Sequence, residues 1–167
     1  PQGVEERVLR ATEILNRRGL CKVILLGNEK EILEKISNLG LQINFETVTI
    51  IDPINSELFE VFVSDYVELR KHKGMTPEKA RDIIPDVNTF GTMMIFKGLA
   101  DGMVSGSIHT TAATIRPAFE IVKTKPGCNN VSSVFLMCLK DRVLVYGDCA
   151  VIPNPTSQQL AEIAISS

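Results

Sequence analysis

Two short apolar runs, 22–27 (KVILLG) and 47–52 (TVTIID), constrain this chain most, because each lies between segments with helical spacing. A strand that is apolar on both faces needs cover on both faces, and parallel strands joined through helices provide it. The helices are legible. Residues 5–18 set Val8, Leu9, Ile14 and Leu15 among charges with Gly19 just beyond, and residues 29–39 form a second amphipathic segment ended by Gly40. The order helix, strand, helix, strand predicts an α/β fold with a parallel sheet.

The pattern continues with residues 56–72, where Leu58, Phe59, Phe62, Tyr66 and Leu69 recur on one helical face. That helix ends in Arg70, Lys71, His72 and Lys73 before Gly74. Lys71 and Lys73 read as cations offsetting the helix dipole, at about 0.3–1 kcal/mol each. Thr76, Pro77 and Glu78 open a short helix, 76–84, stopped before Pro85. Residues 88–96 (NTFGTMMIF) read as a buried helix with Met93 and Met94 as core filler. A short apolar strand is expected within 98–107, with Asp101 in an ordinary turn role.

Residues 125–130 (KPGCNN) form a turn cluster and mark a boundary, giving a first α/β subdomain, 1–127, and the beginning of a second, 128–167. Beyond it, 131–139 and 143–147 are apolar runs joined through Lys140, Asp141 and Arg142, the pattern of an antiparallel hairpin. Thr156 caps a last helix that carries Leu160, Ile163 and Ala164 on one side.

Composition excludes several classes. A net charge of −2 shows no basic bias toward nucleic acid, and the longest apolar runs fall far short of the ~20 residues that cross a bilayer. No signal-peptide pattern precedes the first helix, and the absence of an initial methionine points to a piece of something longer. Cys21, Cys128, Cys138 and Cys149 have irregular spacing and no CxxC pair, so they read as reduced cytoplasmic thiols rather than zinc ligands or disulfides. Cys21 and Cys138 are expected in the core; Cys149, in a turn beside Asp148, is the one to test for reactivity. The acidic residues and histidines lack ligand spacing, so no metal site is expected.

Loop chemistry, hydroxyls and a lone cation converge in residues 101–117 (DGMVSGSIHTTAATIRP). Gly106 permits a tight turn, and Ser107, Thr110 and Thr111 lie where a helix begins, so free N–H groups and hydroxyls face one spot suited to an anion. Arg116 adds a forked donor set that matches phosphate oxygens. The plainer reading is an ordinary strand–helix connection. His109 reads as a loop-orienting hydrogen-bond partner in preference to a general base. Pro117 leaves two outcomes: a kinked helix over about 110–123, or a helix that starts at Pro117 with Arg116 in the loop.

These strings resemble those of phosphate acetyltransferases. The resemblance lies in 67–75 (VELRKHKGM), 101–117, 121–127 (IVKTKPG), 131–135 (VSSVF), 146–150 (YGDCA) and 155–165 (PTSQQLAEIAI), in the family's order along nearly the whole chain. It implies a three-layer αβα fold with a mostly parallel sheet, isocitrate/isopropylmalate dehydrogenase-like, truncated here after the start of a second subdomain. It also implies reversible acetyl transfer between acetyl-CoA and phosphate, giving acetyl phosphate and coenzyme A. Coenzyme A is then a co-substrate, no cofactor is covalently bound, and the protein is a cytoplasmic homodimer. Arg70 and Arg116 are the substrate-binding arginines that the resemblance implies; Ser107, Thr110 and Thr111 join them by local inference.

The family's reaction-centre serine, arginine and aspartate follow in a segment absent from these residues, so no catalytic residue is expected in this chain, and the piece alone should be inactive. Two other classes remain. A nicotinamide- or metal-dependent dehydrogenase lacks its GxGxxG after a strand. A non-catalytic sensor that binds an acyl phosphate or CoA through the same fold is the alternative.

Overall fold

Unbroken apolar runs form the two parallel strands, β1 (Val23–Leu26) and β2 (Val48–Ile51), paired Val23 with Val48 through Leu26 with Ile51. These elements belong to a computed structural model that describes all residues, 1–167. The chain divides into two compact units, Pro1–Val122 and Lys123–Ser167.

In the first unit, strand side chains alternate between two clusters, as a period of two requires. Leu25 and Val48 pack with Leu9 of α1 (Glu6–Arg18) and with Ile32 and Ile36 of α2 (Glu29–Asn38). Leu26, with Ile24 and Ile51 against it, packs with α3 (Leu58–Arg70), α4 (Pro77–Ile83) and α5 (Val87–Phe96). The expected α/β fold with a parallel sheet is present.

The helix boundaries follow local chemistry. Glu5 caps α1 by accepting from Val8 N–H at 3.2 Å, Asn28 caps α2 from Glu31 N–H at 3.2 Å, and Thr76 caps α4 from Lys79 N–H at 3.4 Å. A 3₁₀ turn, Lys71–Lys73, prolongs α3 and stops at Gly74, whose φ of 73° is open to glycine without strain. Met93 and Met94 are buried in α5, as expected of core filler.

Two expectations fail. No strand forms between α5 and α6 (Thr111–Pro117): the backbone there is irregular, and Val104 is 92% exposed, with no strand neighbour to hold it. Cys21 and Cys138 are exposed instead of core, because Cys21 lies in the irregular segment just before β1 and Cys138 sits on a hairpin exposed on both faces. The last helix, α7 (Ser157–Ser166), forms as expected and buries Ile163.

Pro117 resolves to the first of its two outcomes. It lies inside α6, where it cannot donate to the carbonyl one turn earlier, and the next turn widens into a π-helical segment, Ala118–Val122.

The second unit holds the expected hairpin, β3 (Val134–Cys138) against β4 (Val143–Gly147), antiparallel, with Val134 opposite Gly147. Thr156 and Gln159 form a reciprocal capping box at the start of α7. Asp148 ties the foot of the hairpin. Its carboxylate accepts from the Ser133 hydroxyl at 2.6 Å, from Ser133 N–H at 2.8 Å and from Val151 N–H at 3.1 Å. The Ser133 hydroxyl first, and then the backbone donors, hold that carboxyl far below the usual range.

A depressed folded pKa contributes stability that is fully present above the unfolded value of about 4 and is lost as pH falls through the folded one. Amide exchange in β3 and β4 is therefore expected to be flat from pH 7 to about 5, after correction for intrinsic rates, and to accelerate below about pH 4. Asp148→Asn should remove that acid limb; an unchanged limb in the variant refutes the role.

Candidate anion-binding site

Tyr66 and Arg70 stand one turn apart on α3, and Arg116 and Glu120 stand four residues apart across the junction of α6 and the π-helical turn. The two pairs meet. Glu120 Oε1 lies 3.4 Å from an Arg70 Nη and 3.3 Å from Arg116 Nε, while the Tyr66 hydroxyl donates to Glu120 Oε2 at 3.0 Å. One carboxylate thus joins two guanidiniums from separate helices.

The burial of the partners is unequal. The Arg70 side chain is 20% exposed and that of Glu120 24%, whereas Arg116 is 79% exposed. Arg70 Nε is buried and has no hydrogen-bond partner. Tyr66 is almost wholly buried, and its phenol is pushed up to about 12, first by burial and then by the hydrogen bond to Glu120, so it stays a donor at neutral pH.

Ser107 and Thr110 bond to other groups. The Ser107 hydroxyl donates to Glu5 Oε2 at 2.9 Å, its N–H to Gln2 Oε1 at 2.9 Å, and its carbonyl accepts from Arg7 at 2.8 Å. Glu5 is held below the usual carboxylate range, chiefly by Arg7 and then by Ser107. His109 meets Gln2 through Nδ1, the loop-orienting contact expected of it. Thr110 is the N-cap of α6, accepting from Ala113 N–H at 3.2 Å, and Thr111 is the exposed first residue of that helix. None of the three hydroxyls is hydrogen bonded to Arg70 or Arg116.

Tertiary structure therefore brings Arg70 and Arg116 together and gives Ser107 a structural partner. Glu120 and Tyr66 escape a reading of the sequence alone. The i,i+4 spacing of Arg116 and Glu120 is a legible signal, but Pro117 between them obscures whether both lie on one helix.

Along their whole length, residues 1–167 match the family described as phosphate acetyl/butaryl transferase. The chain belongs to that family. It is 59% identical over 167 residues to the phosphate acetyltransferase of Nitratidesulfovibrio vulgaris, covering all of this chain and 23% of that protein. It is 46% identical to the phosphate acetyltransferase of Corynebacterium glutamicum, covering all of this chain and 50% of that one.

Solved structures agree with the family match. The EutD phosphotransacetylase from Staphylococcus aureus superposes with a TM-score of 0.90 at 41% identity, over 100% of this chain and 50% of that one. A phosphotransacetylase from Streptococcus pyogenes gives 0.89 at 45% identity, over 99% and 50%. The chain spans half or less of the length of these phosphate acetyl/butaryl transferases.

Proposed function

We propose that this chain is part of a phosphate acetyltransferase, transferring acetyl reversibly between acetyl-CoA and phosphate to give acetyl phosphate and coenzyme A. The family match over all 167 residues carries this reading. In the direction of CoA acetylation, the thiol loses its proton to a base, sulfur attacks the carbonyl of acetyl phosphate, and phosphate leaves. The base lies in the remainder of the polypeptide, so residues 1–167 supply binding and not proton transfer.

Arg70 and Arg116 are the binding pair for phosphate groups of CoA or acetyl phosphate. Their meeting on one carboxylate supports this, because it sets two forked donor sets side by side, and an anionic oxygen can engage the exposed one, Arg116, while Arg70 stays held. Ser107, Thr110 and Thr111 line the cleft that admits the ligand. In the whole protein the sheet is the central layer of a three-layer αβα architecture of the isocitrate/isopropylmalate dehydrogenase type. Residues 1–127 supply its first subdomain and 128–167 the beginning of the second.

The functional protein is a cytoplasmic homodimer acting on small anions, with no nucleic-acid or membrane partner. No helix is long and apolar enough to cross a membrane. The test is a hydroxylamine trap: the full-length polypeptide with acetyl-CoA and phosphate should form acetyl phosphate, captured as the hydroxamate. Absence of hydroxamate together with retained CoA binding would replace the enzyme by a sensor.

A further inference from the structure

The mechanism sketched above uses two arginines and leaves Glu120 and Tyr66 without a task, yet both are placed with more care than a surface ion pair needs. Glu120 reaches α3 because the backbone changes from α to π at Pro117. The wider turn puts Ile121 into the core at 1% exposure and leaves Glu120, its neighbour, facing Tyr66 and Arg70. Widened turns of this kind recur at functional sites.

Charge completes the picture. Two guanidiniums side by side repel, and Arg70 is too buried to be screened by water alone. One carboxylate offsets half of that charge, and the Tyr66 hydroxyl, a neutral donor, fixes the carboxylate by its other oxygen. A single positive charge is left for an incoming anion. Arg116, mostly in solvent, is held to Glu120 by a contact of the kind that contributes little in water, so it can exchange partners. Arg70 stays.

We infer that Glu120 and Tyr66 are positioning residues: Glu120, steadied by Tyr66, holds Arg70 in the site and keeps Arg116 beside it until an anionic oxygen of the ligand takes Arg116 over. This rests on the assignment of Arg70 and Arg116 as the phosphate-binding pair. Neither positioning residue touches reacting atoms, so their loss should weaken binding and spare turnover.

The test is steady-state kinetics and calorimetric CoA titration of the full-length enzyme carrying Glu120→Gln, which keeps the shape and an acceptor for Tyr66 but not the charge. KM and Kd for CoA are expected to rise about fivefold or more, with kcat within about twofold. Tyr66→Phe should give the same split at about two- to threefold. In an Arg116→Ala background, Glu120→Gln should have a different effect from the one it has alone, since the two side chains share a contact.

Glu120→Gln with KM within about twofold of the parent, or with kcat lowered at constant KM, overturns the inference. Should Glu120→Gln fail to fold, Tyr66→Phe decides by the same split. If Arg70→Ala and Arg116→Ala raise KM while Glu120→Gln does not, the positioning role alone is lost. If neither arginine variant changes KM, the underlying assignment has failed and the inference goes with it.

Discussion

Arg70→Ala in the full-length enzyme is expected to raise KM for CoA by about 10–100-fold, more than the same change at Arg116. The figure follows from hydrogen bonds to charged groups, about 1.5–3 kcal/mol each, with about 1.4 kcal/mol per tenfold. Burial sets the order of the two. Arg70 is 20% exposed, so an anion bound there would be poorly screened by water, whereas one at Arg116, 79% exposed, would be screened well.

Removing Arg70 also leaves Glu120 paired with Arg116 alone, so the anion meets a neutral pair in place of a net positive site. The salt dependence of KM should fall in the same variant, because fewer charges act on the ligand. Turnover should fall less than KM rises, because the proposed reaction takes its base from outside these residues. Kinetics at two ionic strengths measure all three effects. A KM within about twofold of the parent at both would refute the role of Arg70.

Phe62→Ala should destabilise the first unit by about 3–5 kcal/mol, the range for emptying a large buried aromatic site. Phe62 is 0% exposed, and its ring lies 4.9 Å from that of Phe90 at 57°, so truncation removes an aromatic contact and opens a cavity between α3 and α5. The loss is a large share of the 5–15 kcal/mol that holds a typical domain together. Urea unfolding of the full-length enzyme should show it as a lower midpoint, and Phe62→Leu, which refills most of the space, should recover more than half. A midpoint shift worth less than about 1 kcal/mol would contradict this packing. Phe62 lies two turns before Arg70 on α3, so the core contact that steadies the helix also steadies the guanidinium.

Much of this architecture is written in local pattern. Alternation put Leu25 and Leu26 on opposite faces of β1, the helical stripe put Phe62 and Tyr66 on one side of α3, and Thr76 and Thr156 capped the helices they precede. These features depend on residues within a turn or two of each other, which a sequence displays directly. The strand expected within 98–107 failed for the opposite reason. Apolar residues there had no partner strand, and a strand without a neighbour leaves its backbone groups unpaired. Cys21 and Cys138 failed likewise, since an apolar neighbourhood in sequence does not settle which segments will cover it.

By itself the sequence determined the parallel α/β opening, the antiparallel hairpin and most helix ends, while the resemblance to a known family singled out the two arginines. Tertiary structure alone decided that Arg70 and Arg116 share Glu120, that Tyr66 fixes the carboxylate between them, and that Ser107 is engaged by Glu5. The reason is distance along the chain. Helices and turns, the widened one after Pro117 included, are set by neighbours a few residues apart, whereas the meeting of Arg70 with Glu120 depends on how α3 packs against that distant turn, which no run of neighbouring residues displays.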